Sequence, residues 1–220
     1  MAFDADPHAN PPLVTAGAPL DAASVAVVLI HGRGSTAEDI IGLARPLAVP
    51  GCAFVAPQAA LRTWYPQSFM APTDANEPWL SSARRMVEAL VARLDEDGPG
   101  RERTFLAGFS QGACLAIDVA VRIGAPLAGA IAYTGGLIGP PDSDFSTTGK
   151  DLDGASILLA AGDPDPHVPF ARVEQTAEVC RRLGATVDVR RYPGMPHTIN
   201  EEELALSRAM IERLVGSLSS

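Results

Sequence analysis

A serine stands between two glycines in the stretch Gly108-Phe109-Ser110-Gln111-Gly112, which matches the pattern G-x-S-x-G. The apolar run Thr104 to Ala107 before it has the length of a buried strand, and residues 113–120 after it are apolar almost all round, as in a buried helix. In this context the pattern holds a serine hydroxyl out over the carboxyl end of a sheet. We therefore predict Ser110 as a nucleophile, with a helix N-terminus behind it that favours developing negative charge.

The two glycines have a steric explanation. A strand that turns directly into a helix forces the residue at the apex into a strained backbone conformation, and side chains two positions to either side would collide. Gly108 and Gly112 remove those side chains.

A serine nucleophile needs a base, and the base needs an orienting acid, in the chain order Ser, Asp or Glu, His. Of the four histidines, His197 fits best, because it lies in a loop between the last predicted strand and the last predicted helix. His8 lies in the N-terminal lead, where we expect it to be exposed and inert. His31 precedes the serine, and His167 lies too close to the expected acid to be its partner.

Two aspartates could be that acid, Asp163 and Asp165, both in the segment that follows the preceding strand. Asp163, directly after the strand, is better placed for a turn or a cap, whereas Asp165 lies farther out over the carboxyl edge. The spacing favours Asp165 and leaves Asp163 as the alternative. Acidic residues at 38–39 and 201–203 are more simply explained as helix N-terminal charges.

Acyl transfer also requires hydrogen-bond donors for the developing oxyanion. One is predicted to be the backbone N–H of Gln111, directly after the nucleophile, and the other that of Arg33 in the segment His31-Gly32-Arg33-Gly34-Ser35. Gly32 and Gly34 let this backbone approach a substrate closely. We expect the Arg33 side chain to point to solvent, with binding of an anionic substrate group as the alternative.

Residues 57–77 form a predicted loop of a length that is usually functional or disordered, and its large apolar side chains argue against disorder. We expect this loop to bind substrate through Trp64, Tyr65, Phe69 and Met70, with Trp64 as the leading candidate for an acyl-chain wall. The alternative is that Trp64 only packs the loop onto the domain.

Apolar strand-like runs alternate with amphipathic helical stretches along the chain. A continuous β-branched run over Val25 to Ile30 precedes a predicted helix over residues 36–47, and further βα units follow the serine. Repeated units of this kind favour a mostly parallel sheet with helices on both faces. We predict a single α/β domain over residues 1–220, with an irregular lead over residues 1–22 and no large cap domain.

Composition limits the partners. The chain has 220 residues, 47% of them hydrophobic, and a net charge of −9, so it lacks the basic footprint of a protein that binds nucleic acid or an anionic membrane surface. No run reaches membrane-spanning length, and the N-terminus lacks the features of a secretory signal. Cys52, Cys114 and Cys180 lie in apolar patterns without metal-ligand spacing. We therefore expect buried reduced thiols, no metal or cofactor, and a cytoplasmic location, while a monomer and a homodimer both remain open.

The segments HGRGS, GFSQGA, GDPDPHVP and PGMPHT together resemble the acyl-protein thioesterase and bacterial carboxylesterase group of the α/β-hydrolases, also called the phospholipase/carboxylesterase group. The resemblance covers almost the whole chain. It implies the α/β-hydrolase fold, a triad of Ser110, Asp165 and His197, and oxyanion donors at Arg33 and Gln111. It thereby decides for Asp165 over Asp163.

Two departures bear on the substrate. Arg33 occupies a position that is often apolar in the eukaryotic thioesterases, and the WYP…F stretch looks more like the bacterial esterases. Hydrolysis of small carboxylic esters or thioesters is therefore favoured over depalmitoylation of proteins, with opening of dienelactone-type lactones as the next alternative. A peptidase, and a non-catalytic binding protein of this fold, are the more remote alternatives.

Overall fold

The computed structural model describes residues 6–217, so the first five residues of the predicted lead lie outside it. Seven strands are present in that range: β1 Leu13–Gly17, β2 Val25–Ile30, β3 Cys52–Pro57, β4 Thr104–Phe109, β5 Gly129–Tyr133, β6 Ser156–Asp163 and β7 Thr186–Pro193. The α-helices are α1 Ala37–Ile40, α2 Trp79–Asp97, α3 Gln111–Ile123, α4 Phe170–Arg182 and α5 Glu201–Ser217. Short 3-10 helices cover Leu20–Ala22, Ile41–Ala44, Ala60–Arg62, Thr73–Asn76 and Arg101–Arg103.

The strands form one sheet in the order β1-β3-β2-β4-β5-β6-β7. Strand β1 pairs with β3 in the antiparallel direction, and every other neighbouring pair is parallel. The predicted α/β class with a mostly parallel sheet is confirmed. Because β2 and β4 to β7 all point the same way, the segments that leave their carboxyl ends lie along one edge of the sheet.

Helices cover both faces of this sheet, which explains why its central strands are apolar without alternation. In β2, Val28 and Ile30 belong to the apolar cluster formed with α2, α3 and α4, whereas Val27 and Leu29 belong to the cluster formed with α1 and α5. No helix within residues 6–217 is long and apolar enough to cross a membrane.

Two predicted segments need correction. The lead was expected to be irregular through residue 22, but it contains β1, which pairs with β3 from Leu13 opposite Pro57 to Gly17 opposite Ala53. A five-residue edge strand with one neighbour leaves little hydrophobic pattern, so the sequence alone did not reveal it. The helix expected over residues 36–47 is α1 followed by the 3-10 turns of Ile41–Ala44, where Gly42 weakens helix formation.

The turn 108–112 between β4 and α3 has no room for side chains at its two glycines. A Cβ at Gly108 would lie 2.4 Å from the carbonyl oxygen of Gly112, and a Cβ at Gly112 would lie 2.1 Å from the carbonyl oxygen of Ile30. Both distances are far below van der Waals contact with backbone atoms that cannot rotate away. The close approach of α3 to β2 therefore requires glycine here.

We expect Gly112→Ala to lower the free energy of unfolding by roughly 2–3 kcal/mol and to displace the turn, because α3 must move away from the Ile30 carbonyl. Gly42→Ala is the matched control, since a Cβ at Gly42 meets nothing within 4 Å. Urea unfolding of both variants measures the difference. Equal stability of the two variants would show that the packing at Gly112 is not limiting.

Candidate active site

Four connections at the carboxyl edge of the sheet bring the predicted site residues together. Ser110 directly follows β4, Asp165 lies two residues beyond β6, His197 lies four residues beyond β7, and residues 31–34 leave β2. A Cβ built on Gly32 would lie 3.6 Å from the Cβ of Ser110, so the segment after β2 runs beside the serine.

Ser110, His197 and Asp165 form a continuous line of hydrogen-bonded side chains. The Nε2 atom of His197 lies 2.9 Å from the Oγ atom of Ser110, and its Nδ1 atom lies 2.7 Å from Oδ2 of Asp165. Ser110 itself has φ 55° and ψ −118°, and its N–H donates to the Tyr133 carbonyl over 3.0 Å. This geometry lets the imidazole take the hydroxyl proton while the carboxylate keeps Nδ1 protonated.

The Asp165 carboxylate is fully buried and fully bonded. Its Oδ1 atom accepts hydrogen bonds from the backbone N–H groups of His167 and Val168, each over 2.8 Å. Burial alone would raise the pKa of Asp165, but these two amides and the bond from His197 outweigh burial and lower it. Asp165 therefore stays ionised beside the imidazole. An aspartate followed by such amides is an Asx turn, which the stretch Asp165-Pro-His-Val could have suggested.

Asp163 lies elsewhere. It is the last residue of β6, pairs with Pro193 in the parallel ladder, and forms an ion pair with Arg191 of β7. Its carboxylate accepts from the Nε atom of Arg191 over 2.7 Å. Because β6 continues through Asp163, this aspartate bonds Arg191 of the neighbouring strand, and the carboxylate that bonds His197 is that of Asp165.

The His197 ring lies between two other rings. The Phe109 ring centroid is 4.9 Å away, and that of His167 is 4.8 Å away in an edge-on arrangement. His167 thus serves the site through its backbone amide to Asp165 and its ring against His197, roles that chain order alone did not indicate. These contacts limit the orientations that the His197 ring can adopt.

His8 was expected to be exposed and inert, but it is buried and hydrogen-bonded. It is 2% exposed, its Nδ1 atom accepts from the N–H of Ala60 over 3.2 Å, and its Nε2 atom donates to the Trp64 carbonyl over 3.0 Å. Burial lowers the pKa of His8, which favours this neutral form. His8 therefore holds the 57–77 loop in place through its backbone at Ala60 and Trp64.

The two amides predicted for the oxyanion belong to the residue after Ser110 and to the segment after β2 that runs beside Ser110. Gln111 is the first residue of α3, so its N–H has no carbonyl within the helix to bond. Arg33 lies in the turn after β2. The next residue, Gly34, has φ 79°, and the N–H of Gly34 donates to the Arg62 carbonyl over 2.7 Å. Glycine is favoured at Gly34 because an L side chain rarely adopts this conformation.

The side chain of Gln111 has a second role that the sequence did not reveal. Its Oε1 atom accepts from the N–H of Trp64 over 3.0 Å and from the Thr63 hydroxyl over 3.3 Å. Its Nε2 atom donates to the Tyr65 carbonyl over 2.8 Å. The residue after the nucleophile therefore fixes the backbone of residues 63–65.

Ser110 opens into a cleft of about 690 Å³, whose lining includes Tyr65, Phe69, Phe109, Cys114 and Val168. Of the four side chains expected to bind substrate, Tyr65 and Phe69 line this cleft. Met70 instead packs against the apolar cluster of α2, α3 and α4.

The expectation for Trp64 also needs correction. Its side chain is 0% exposed and lies outside the cleft lining, and its indole N–H donates to the His31 carbonyl over 2.7 Å. The indole also packs against the His31 ring, with 4.8 Å between the ring centroids. Trp64 therefore packs the loop onto the domain, which was the stated alternative, because its one polar atom finds a partner in the interior.

The Arg33 side chain was expected to point to solvent, but it is hydrogen-bonded to the 57–77 loop. Its Nη1 atom donates to the Thr63 hydroxyl over 3.1 Å and to the Pro66 carbonyl over 2.8 Å, and Nη2 donates to the Gln67 carbonyl over 2.6 Å. The guanidinium also lies 5.9 Å from the centroid of the Tyr65 ring. A long flexible side chain is thus held along one wall of the cleft while remaining accessible.

A reciprocal cap follows the His197 segment at the start of α5. The N–H of Asn200 donates to Oε2 of Glu203 over 2.7 Å, and the N–H of Glu203 donates to Oδ1 of Asn200 over 2.9 Å. Glu203 is 0% exposed, and its Oε1 atom has no hydrogen-bond partner within residues 6–217. Burial raises the pKa of Glu203 to about 7.

The fold and the arrangement of Ser110, His197 and Asp165 define an α/β-hydrolase. Residues 14–214 match the family described as phospholipase/carboxylesterase, so the chain belongs to this family. The resemblance inferred from the sequence motifs is confirmed, and the protein is an enzyme of the carboxylesterase/thioesterase type.

Individual relatives agree with this assignment. Carboxylesterase SOBER1 of Arabidopsis thaliana is 26% identical over 171 residues, which span 74% of this chain and 72% of that protein. Acyl-protein thioesterase 1 of Gibberella zeae is 28% identical over 127 residues, 56% of this chain and 53% of that protein. The crystal structure of a phospholipase/carboxylesterase from Dyadobacter fermentans is 40% identical with a TM-score of 0.87, covering 92% of this chain and 97% of that one.

Glu203 generates a prediction about pH and stability. The folded protein keeps this carboxyl protonated up to a pH of about 7, whereas the unfolded chain releases the proton near its ordinary value of 4.5. The folded state therefore binds the extra proton between these values, and the free energy of unfolding falls as the pH rises through that window.

We expect Glu203→Gln to remove this loss. Between pH 5 and pH 8 the free energy of unfolding of the variant should therefore rise relative to that of the wild type, by about 3 kcal/mol at most. Glu201→Gln, an exposed position in the same helical turn, is the control and should follow the wild-type curve. Urea midpoints measured across this pH range test the expectation. Parallel curves for the Glu203 variant and the wild type would contradict it.

Proposed function

We propose that this protein hydrolyses small carboxylic esters or thioesters through a Ser110-His197-Asp165 triad and a covalent acyl-enzyme. The observation that carries the proposal is the unbroken pair of hydrogen bonds from Asp165 to His197 and from His197 to Ser110, of 2.7 Å and 2.9 Å. The membership in the phospholipase/carboxylesterase family supports it.

In the acylation step, Nε2 of His197 accepts the hydroxyl proton while Oγ of Ser110 attacks the carbonyl carbon. The ionised Asp165 holds the Nδ1 proton and stabilises the imidazolium that forms. The oxyanion of the tetrahedral intermediate accepts hydrogen bonds from the amides of Gln111 and Arg33. Collapse expels the alcohol or thiol, which takes the proton from His197, and the acyl group stays on Ser110.

In the deacylation step, His197 removes a proton from the water that attacks the acyl carbon, and on collapse it gives this proton to Oγ of Ser110, which releases the carboxylic acid and restores the enzyme. The open cleft of about 690 Å³ suits a small substrate. Phe69 is the proposed apolar contact for the acyl or alcohol part, and Tyr65, which is 0% exposed, supports this wall of the cleft from within.

The remaining sequence-based expectations continue as parts of this proposal. A single domain is supported by the family match over residues 14–214. A cytoplasmic location is supported by Cys52, Cys114 and Cys180, which are all buried and free of disulfides.

Ser110→Ala should lower kcat for p-nitrophenyl acetate by about 10⁴-fold or more, because the base then has no hydroxyl to activate. A fluorophosphonate probe should add to the wild-type protein once, as seen by intact mass, and not to the variant. Circular dichroism verifies that the variant is folded. Near-normal esterase turnover in the folded variant would refute the triad. Turnover of a peptide anilide but not of the ester would identify a peptidase instead.

Asp165→Asn should lower kcat by about 10³–10⁴-fold, because the amide oxygen stays with the N–H groups of His167 and Val168 and the NH2 group then donates to Nδ1 of His197, which favours the wrong imidazole tautomer. Asp163→Asn is the matched control. It weakens a partly exposed ion pair with Arg191, so we expect a change of at most about 1 kcal/mol in stability and little change in kcat. The reverse pattern would assign the acid to Asp163.

A further inference from the structure

We propose that the cleft prefers esters and thioesters that carry a carboxylate, and that the guanidinium of Arg33 binds this carboxylate. The inference rests on the proposed function and narrows its substrate class to half-esters of small dicarboxylic acids and to esters of small hydroxy or phenolic acids. It is drawn from the distribution of charge around Ser110.

The cleft carries a fixed positive charge although the chain is acidic. The whole chain has a net charge of −9, yet the only permanently charged residue among those that line the cleft, within the described part of the chain, is Arg33. The acid beside it, Asp165, has a side chain that is 0% exposed and is already bonded to His197. An anionic group that enters this cleft meets the positive charge of Arg33, and no carboxylate of the described residues lies in the lining.

The guanidinium of Arg33 is fixed by neutral hydrogen-bond acceptors, which leave its positive charge unpaired. The three acceptors of its guanidinium, the Thr63 hydroxyl and the Pro66 and Gln67 carbonyls, are all neutral. Within residues 6–217 no carboxylate lies within 4.0 Å of the Arg33 side chain. These three bonds use three of the five N–H donors of a guanidinium, which leaves two for a ligand.

Anchoring the loop requires hydrogen-bond donors but not a positive charge, so the anchoring role alone does not account for arginine. The three bonds also immobilise a side chain that is otherwise costly to order, and the binding of an anion then carries less of that cost. A carboxylate is the natural partner for two remaining donors on a planar guanidinium.

A second cation lies behind the same wall. Arg172 is 3% exposed, and its guanidinium donates to the carbonyls of Leu137, Gly139 and Pro140. It forms no ion pair among the described residues, and it lies 6.0 Å from the ring centroid of Phe69, which lines the cleft. A buried cation with only neutral partners is weakly screened, so its field adds to that of Arg33.

The backbone N–H and the guanidinium of Arg33 belong to one residue, which limits how far a bound substrate carboxylate can lie from the reacting carbonyl. The backbone N–H of Arg33 is the proposed oxyanion donor, while its side chain runs along the wall to residues 66–67 and over the Tyr65 ring. A substrate whose carbonyl oxygen lies at this N–H therefore lies within the length of one arginine side chain of the guanidinium. Either the acyl part or the alcohol part can carry the charge, and the two cases are separable by experiment.

The test compares pairs of substrates in which a carboxylate is replaced by its methyl ester, with release of the p-nitrophenol or of the phenol as the readout. Mono-p-nitrophenyl adipate and its methyl ester place the charge on the acyl part, and 4-acetoxybenzoate and its methyl ester place it on the alcohol part. For wild type we expect kcat/KM to favour the charged member of at least one pair by about five- to tenfold, mainly through KM. The preference should shrink between about 0.05 and 0.5 M NaCl.

Arg33→Gln should bring this ratio close to one, and Arg33→Lys should retain part of it because the charge remains. Arg213→Gln is the control for net charge, since Arg213 is exposed on α5 and far along the chain from the cleft lining. Arg33→Gln also removes contacts to the loop, but a ratio taken within one variant cancels effects that are common to both substrates.

Should Arg33→Gln lose turnover of both substrates, calorimetric dissociation constants of both members of each pair for Ser110→Ala, with and without Arg33→Gln, give the same comparison. Weaker binding of the charged member alone in the double variant supports the inference, and equal weakening of both members contradicts it. A wild-type ratio at or below one in both pairs, or a ratio unchanged by Arg33→Gln, overturns it while fluorophosphonate labelling of Ser110 still upholds the hydrolase. Absence of labelling refutes the proposed function itself.

Discussion

Ser110 has a backbone φ of 55°, a conformation that costs an L residue on the order of 1–3 kcal/mol unless its surroundings enforce it. The surroundings here are α3, which is buried over nearly its whole length, and the contact of Gly112 with the Ile30 carbonyl. Because helix and strand are both locked in the core, the turn between them has no freedom to relax. The serine hydroxyl is thus presented at a fixed place above the sheet, and the other site residues converge on it.

The wall beside the serine is held by polar anchors as well as by apolar packing. Gln111 and Arg33 each offer a backbone amide on the side of the proposed oxyanion, and each uses its side chain to fix residues 63–67. Trp64 adds a third link to the His31 carbonyl. The position of the proposed oxyanion donors and the shape of the cleft wall are therefore mechanically coupled, so that a substitution in the loop also acts on the chemistry.

Two buried carboxyl groups near this edge of the sheet show how hydrogen bonds set the pKa, and so the protonation state, of a buried acid. Asp165 accepts three hydrogen bonds and its pKa is lowered, whereas Glu203 accepts one at its carboxylate and burial raises its pKa to about 7. Both are removed from solvent, so burial alone does not distinguish them. The number of donors aimed at each carboxyl separates an ionised acid beside His197 from a group that is neutral below pH 7.

The sequence by itself determined the α/β class, the succession of βα units around Ser110, and the candidates His197 and Asp165, because hydrophobic periodicity, the paired glycines and chain order can be read without the tertiary structure. It did not reveal β1, whose edge position leaves a weak pattern, or the burial of His8 and Trp64, whose partners lie more than 30 residues away in the chain. Nor could it indicate that the Arg33 side chain lies along the cleft wall, since its acceptors are backbone carbonyls and a hydroxyl that carry no residue signature. Such contacts arise only when distant segments pack together, and only the tertiary structure decides which polar groups then find each other.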